Sequence, residues 1–266
     1  MSTLQDVFQT MKLFLAGVNA HTYLNRSKAI YVLESFYYLQ KNREKKEFFN
    51  NVYPYLEDFL LDSGAFTFMN SPHKNLSIDD YFKDYINFIN QYDIKHFFEL
   101  DVDSIMGLKQ VELYRKILEK ETGKKSIPVW HFSRGKEYWI DICKAYDYIA
   151  YGGINTDGVP TKTIVKYLPW FLETAKKYNC KVHLLGFTPS NILDFDAYSC
   201  DSTSWVSGSR FGAFYFFDGK KIKNMNRKTD NKIVGDCCSL NQHNLDEWIK
   251  YQKYLDNLSD YSKLMR

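Results

Sequence analysis

The chain has little of what marks a secreted, membrane-bound or zinc-stapled protein. Its 266 residues hold five cysteines, at 143, 180, 200, 237 and 238, an odd set without disulfide-like spacing. Without a signal peptide either, the expected location is a reducing cytoplasm. No apolar run approaches the roughly 20 residues that span a bilayer, so no membrane association is expected. Cys237-Cys238, with His243 following, lacks the paired-ligand spacing of a structural zinc site. No Gly-rich fingerprint follows the first predicted strand, which removes the usual dinucleotide site. Neither a metal nor an organic cofactor is therefore expected. Internal repeats, low-complexity tracts and linkers are absent, so residues 1–266 read as a single domain.

Net charge is also sparse, at +3, too little by itself to announce a polyanionic partner. Its distribution is uneven. Residues 207–232 hold seven Lys/Arg against two Asp, a local +5, so the rest of the chain is near −2. The same segment carries Phe211, Phe214, Tyr215, Phe216 and Phe217. Basic and aromatic interleaving suits a nucleic-acid backbone with stacked bases, with Arg210, Lys220, Lys221 and Lys223 as the contacts. A solvated hairpin with its aromatics packed inward fits the pattern too. Aromatic side chains are the one excess, 17% of the chain with 21 Tyr and 20 Phe, and most belong in a core.

Short apolar runs at 11–17, 59–64, 96–103, 126–131, 148–154, 181–187 and 198–205 alternate with longer amphipathic stretches. The stretches lie at 27–39, 78–92, 108–121, 135–146 and 161–178, the last interrupted by Pro169. Ser77 is placed to cap the second, with Asp79 and Asp80 in its first turn. Repeated βα units predict a parallel sheet with right-handed crossovers. Six or seven of them favour a closed (β/α)8 barrel over an open doubly wound sheet. Beyond Trp205, residues 210–217 and 220–224 read as a β-hairpin turning at Asp218-Gly219, before a last helix over about 245–258. The eighth strand lies in 210–217 or elsewhere.

Aspartates at strand ends carry the chemistry. They stand in Leu60-Leu61-Asp62-Ser63-Gly64, in Phe98-Glu99-Leu100-Asp101-Val102-Asp103, and in Ser199-Cys200-Asp201-Ser202-Thr203-Ser204-Trp205. A carboxylate ending an apolar run is costly to desolvate unless it is paired, hydrogen-bonded or used. At the carboxyl ends of barrel strands, such groups converge. Asp62 suits a nucleophile, a general base, a base-recognition acceptor, or a plain turn cap before Ser63 and Gly64. Asp101 and Asp103 share a strand face, where they would hold a metal, raise one pKa, or divide between core and loop. Asp201 has neighbouring hydroxyls to orient it and Trp205 to wall a pocket. Tyr151-Gly152-Gly153-Ile154 offers backbone amides to a flat ligand, or a tight turn. His131 and His183 read as ligands, acid–base groups or hydrogen-bonded core histidines.

Taken in order, Leu61-Asp62-Ser63-Gly64-Ala65-Phe66, Leu100-Asp101-Val102-Asp103, Tyr151-Gly152-Gly153-Ile154, His183-Leu184-Leu185-Gly186 and Asp201-Ser202-Thr203-Ser204-Trp205 resemble the tRNA-guanine transglycosylase superfamily. The resemblance implies a (β/α)8 barrel that exchanges guanine in a polynucleotide for a 7-deazaguanine such as preQ0. It implies Asp201 as the nucleophile at the sugar C1′ and Asp62 as the general acid/base. It implies Asp101 as the reader of the guanine-like edge, with Ser63, Gly152, Gly153, Leu185 and Gly186 around the base. Carboxylates on either side suit a cationic sugar-like transition state, and the target base must leave its stack to reach them.

The tRNA-acting bacterial members carry a C-terminal zinc motif of three cysteines and a histidine, which Cys237-Cys238 and His243 do not reproduce. The chain is also shorter than those members. With Ser207-Gly208-Ser209-Arg210-Phe211-Gly212 after the nucleophile motif, it looks like the compact phage-type DpdA branch. That implies DNA as the partner and a host cytoplasm as the location. A compact tRNA enzyme, a silent nucleic-acid-binding subunit, and a barrel enzyme acting on a small phosphate ester are the competing readings.

Overall fold

The structure, a computed structural model, describes residues 10–17, 29–42, 45–71, 77–153, 158, 160–207, 212–225 and 237–258. Eight strands are parallel: β1 Lys12–Ala16, β2 Tyr31–Ser35, β3 Asp58–Asp62, β4 His96–Phe97, β5 Val129–Trp130, β6 Tyr148–Tyr151, β7 Lys181–Leu184 and β8 Ser199–Ser202. Their spatial order is β4-β3-β2-β1-β8-β7-β6-β5. A parallel bridge between Phe98 and Ile127 joins the two outer strands, with Ile127 N donating to Phe97 O at 2.8 Å and Glu99 N to Ile127 O at 3.0 Å. The result is the (β/α)8, TIM-like barrel that the alternation of elements predicts.

Period-two alternation along the strands makes two apolar layers. Inward Phe14, Tyr31, Leu33, Leu60, Phe98 and Val129 belong to a cluster filling the barrel. Outward Leu13, Leu15, Val32, Leu61, Tyr151 and Val182 belong to a second cluster, with side chains of the surrounding helices. Each fully buried side chain of this size contributes about 1.5–3 kcal/mol.

The helices Ile78–Gln91, Leu108–Thr122, Gly135–Ala145 and Thr161–Lys177 follow β3, β4, β5 and β6 and closely match the amphipathic stretches. Ser77 Oγ accepts from Asp80 N at 3.0 Å, the expected cap. Pro169 does not end its helix, which runs on to Lys177. Between β7 and β8 only a 3-10 turn, Ile192–Asp194, is formed. Phe187 and Phe195, rings 5.7 Å apart, are buried in this connection.

The stretch 27–39 departs from expectation. Residues 31–35 form β2, which is the eighth strand, and only Phe36–Leu39 is helical. Tyr31, Val32, Leu33 and even Glu34 are all buried, so apolar side chains face both barrel and helix layers. A strand covered on both faces loses its alternation and resembles a helix segment.

The hairpin is shorter than expected, with β9 Tyr215–Phe217 antiparallel to β10 Ile222–Asn224. Its turn is held by Asp218 Oδ1, which accepts from Lys220 N at 3.0 Å and Lys221 N at 2.9 Å. The last helix, Cys237–Asp256, begins well before the expected start. Among the described residues, no helix is long and apolar enough to cross a membrane.

Candidate active site

The carboxyl ends of the strands surround a cleft of about 780 Å³, within the range of small-molecule sites. Asp62, Ser63, Asp101, Gly152, Gly153, Leu185 and Gly186 all line it. Asp201, only 6% exposed, is not itself a lining residue but lies directly behind one, Gly186. Its Oδ1 accepts from Gly186 N at 2.7 Å and from His183 Nε2 at 3.2 Å. The structure therefore brings the expected base-pocket and carboxylate residues together.

Asp62 ends β3, where two tyrosines of the helix Ile78–Gln91 pin the chain. Tyr81 OH donates to Ser63 O at 2.6 Å, and Tyr85 OH donates to Phe98 O at 2.8 Å. Asp62 Oδ2 accepts from Gly64 N at 3.1 Å. Gly64 has φ +70°, and a Cβ there would fall 2.6 Å from Tyr37 Cβ. Only glycine fits this turn. Burial pushes Asp62 up to about 6; the Ser35 hydroxyl and the Gly64 amide pull it down, while the charges of Asp201 and Asp101 raise it. A carboxyl group titrating there can both give and take a proton near neutral pH.

Asp101 and Asp103 converge, but on an arginine. Arg134 Nη2 lies 2.6 Å from Asp101 Oδ1 and 2.9 Å from Asp103 Oδ2, and its Nη1 lies 2.9 Å from Glu99 Oε1. Burial alone would lower the arginine pKa, yet Glu99, Asp101 and Asp103 raise it beyond its ordinary value. His131 Nε2 contacts Asp101 Oδ2. Donor atoms of Asp101, Asp103 and His131 lie within 4.8 Å of one another. The guanidinium spanning both carboxylates already supplies the countercharge that a cation would bring. Each Asp101 oxygen has a second lone pair for a ligand N–H.

Gly152 stands beside this group. A Cβ there would lie 2.8 Å from Val129 Cγ1 and 3.2 Å from His131 Cε1. Its absence lets His131 reach Asp101. At the rim, Phe132 and Phe66 offer flat apolar faces, and Phe66 is 63% exposed.

Other expectations fall elsewhere. Trp205 does not wall the cleft: it is fully buried and donates through Nε1 to Ala16 O at 2.9 Å. Arg210 lies outside the described residues, as do the side chains of Cys237 and Cys238. His243 stacks on Phe214 at 4.3 Å and meets Tyr215 O at 3.0 Å. Lys220, Lys221 and Lys223 do not line the cleft. Tyr215 packs near Trp248, and Phe217 against Tyr251 and Tyr254. So β9 follows the last helix toward its end, where Leu255 O meets Met11 N just before β1. The hairpin turn thus points to the amino end of the barrel, with Tyr215 and Phe217 packed inward.

Sequence reasoning missed Arg134 and the part played by Glu99. The available signal was an arginine three residues beyond a strand-ending histidine, facing a strand end with three acids.

No protein-family profile matches this sequence, nor does any curated protein. Among solved structures, the chain is similar to a Coccidioides immitis protein assigned provisionally as a fructose-1,6-biphosphate aldolase. That similarity has a TM-score of 0.55 at 8% identity and covers 96% of this chain and 92% of the other. It bears on the fold alone.

Proposed function

We propose that the cleft is the active site of a base-exchange transglycosylase, which replaces guanine in DNA with a 7-deazaguanine such as preQ0. The observation that carries this reading is the grouping of Asp62, Asp101 and Asp201 at one cleft, with Asp62 raised to about 6. An Asp201 oxygen attacks C1′ as the bond from C1′ to N9 breaks and its electron pair passes to the purine. Protonated Asp62 gives the departing guanine its proton. The incoming base then loses its N9 proton to Asp62, and N9 displaces Asp201 from C1′. Two displacements retain configuration, and only after the second are both carboxylates as they began, Asp201 free and Asp62 protonated.

Three exposed lysines support a polyanion at this end. Lys109, Lys136 and Lys162 stand second in the helices Leu108–Thr122, Gly135–Ala145 and Thr161–Lys177, which follow the carboxyl ends of β4, β5 and β6. A lysine there opposes the helix dipole but suits a phosphate backbone.

The test is incorporation of radiolabelled guanine, and separately of 7-cyano-7-deazaguanine, into duplex DNA and unmodified tRNA. Label is expected in DNA, with a covalent protein–DNA adduct that Asp201→Asn abolishes while folding and DNA binding persist. Label in tRNA alone would move the substrate to RNA with the same chemistry. Normal exchange by Asp201→Asn would refute the assignment.

A further inference from the structure

The barrel interior holds a line of polar side chains that the transfer chemistry does not use directly. His183 on β7 and Ser199 on β8 are fully buried. Interiors of such barrels are ordinarily filled by bulky apolar side chains, and each buried polar group is costly unless satisfied. The imidazole sits among aromatic rings, with centroids 5.8 Å from Phe14 and 5.5 Å from Phe98. Both ring nitrogens nevertheless meet side chains. Nδ1 is 2.8 Å from Ser199 Oγ, and Nε2 is 3.2 Å from Asp201 Oδ1. Ser199 Oγ is in turn 2.7 Å from Tyr148 OH.

The strand register builds this line. His183 pairs with Ser199 across β7 and β8, and Ser199 and Asp201, two apart on one strand, share its inward face. The polarity follows from the acceptor at the far end. A carboxylate only accepts, so Nε2 carries the proton and Nδ1 is the acceptor. Ser199 then donates to Nδ1, and Tyr148 donates to Ser199. Burial drives the Tyr148 phenol well above its ordinary pKa, so it keeps that proton. Tyr148 OH also lies 3.5 Å from His183 Nδ1, but its shorter contact is to Ser199, and the series ends on the carboxylate.

We propose that His183 is a positioning residue for Asp201, held in its Nε2–H tautomer by Ser199 and Tyr148. This rests on the reading of Asp201 as nucleophile. The His183 and Gly186 bonds both fall on Oδ1, which restrains the carboxylate and leaves Oδ2 as the oxygen that attacks C1′. Neither bond is made to the attacking oxygen.

The experiment compares wild type with His183→Leu, His183→Gln, Ser199→Ala and Tyr148→Phe. The rate of protein–DNA adduct formation is followed on denaturing gels, with DNA affinity and the circular dichroism melt alongside. Loss of orientation at a reacting group lowers rates by about 10²-fold, and that loss is expected for His183→Leu with DNA affinity unchanged. His183→Gln retains an N–H donor near the Nε2 position and recovers most of the rate. Ser199→Ala and Tyr148→Phe lose less.

A folded His183→Leu forming adduct at the wild-type rate would overturn this inference and leave the transglycosylase reading intact. No adduct from wild type on DNA or tRNA would overturn both. A second measurement needs no activity and no mutant. Imidazole ¹⁵N shifts are expected to show His183 protonated at Nε2 and accepting at Nδ1, and a ring protonated at Nδ1 instead would overturn the inference.

Discussion

Asp58 and Asp62 begin and end the same five-residue strand, β3, four positions apart and each two from Leu60, so that all three share one inward face. Their environments push them in opposite directions. At the amino end, Asp58 Oδ2 meets Lys12 Nζ at 2.8 Å, and its Oδ1 meets His96 Nδ1 at 2.7 Å. Burial would raise its pKa, but His96 and Lys12 bring it below the ordinary carboxylate value. At the carboxyl end Asp62 has the Ser35 hydroxyl, a backbone amide and two carboxylate neighbours, and burial raises it to about 6. The apolar layer around Leu60 separates the two ends. One end of the barrel satisfies its charges; the other leaves one poised. That contrast locates the chemistry more sharply than any single residue does.

The contrast breaks first at Asp62. Asp62→Asn removes the proton carrier, and base exchange is expected to fall by about 10²–10⁴-fold, the usual contribution of general acid–base catalysis. Stability should not fall with it. A folded pKa of about 6, above the unfolded value near 3.9, means proton uptake favours the folded state. That contribution is present at low pH and lost as pH rises through about 6. At pH 8, then, the variant is expected to melt no lower than wild type, and a large drop in Tm would show that Asp62 is structural.

The pH profile sharpens the same point. Guanine departure needs Asp62 protonated, and entry of the new base needs it ionised. Exchange is therefore expected to peak near pH 6, Asp62 titrating at about 6, and to fall by up to about tenfold per unit away from it. A profile flat from pH 5 to pH 8 would remove Asp62 from the proton transfers.

Asp58 supplies the opposite case. Asp58→Asn leaves Lys12 and His96 without their charged partner, and both are partly exposed, so screening limits the cost to about 1–2 kcal/mol. Exchange activity is expected to persist. Because the folded pKa of Asp58 is lowered, its stabilisation is present above the unfolded value and lost as pH falls through the folded one. The Tm difference between wild type and variant should therefore shrink on acidification. Equal differences at pH 7 and at pH 2 would count against the ion-pair account.

Much of this was legible in order and spacing. The three motifs around Asp62, Asp101 and Asp201 read as strand ends, and they are brought to one cleft. The helices following β3 to β6 were legible because each has one apolar face. β2 was not, since Tyr31 to Ser35 is covered on both sides and shows no alternation. Arg134 was hidden because its partners are fixed by the β4 to β5 closure, which rests on a single bridge at Phe98 and Ile127. The line from Tyr148 to Asp201 depends on register between strands, and register is a property of the closed sheet rather than of any one segment.

The smallest expected effects concern the nucleic-acid surface, where the two ends of the barrel can be set against each other directly. Lys220, Lys221 and Lys223 lie in a hairpin aimed at the amino end, and Lys223 Nζ is already 2.7 Å from Asp218 Oδ2. Lys109, Lys136 and Lys162 stand at the carboxyl end, each second in the helix that follows β4, β5 or β6. A lysine on phosphate releases about one counterion, so each one removed should lower the slope of log affinity against log salt by about one. Replacing the three carboxyl-end lysines by alanine is expected to weaken DNA binding a few-fold each at moderate salt and to flatten that slope. Replacing the three hairpin lysines should leave both nearly unchanged. The reverse result would put the DNA on the hairpin face, and a bound strand there would need another route to Asp201, since the filled barrel interior lies between them.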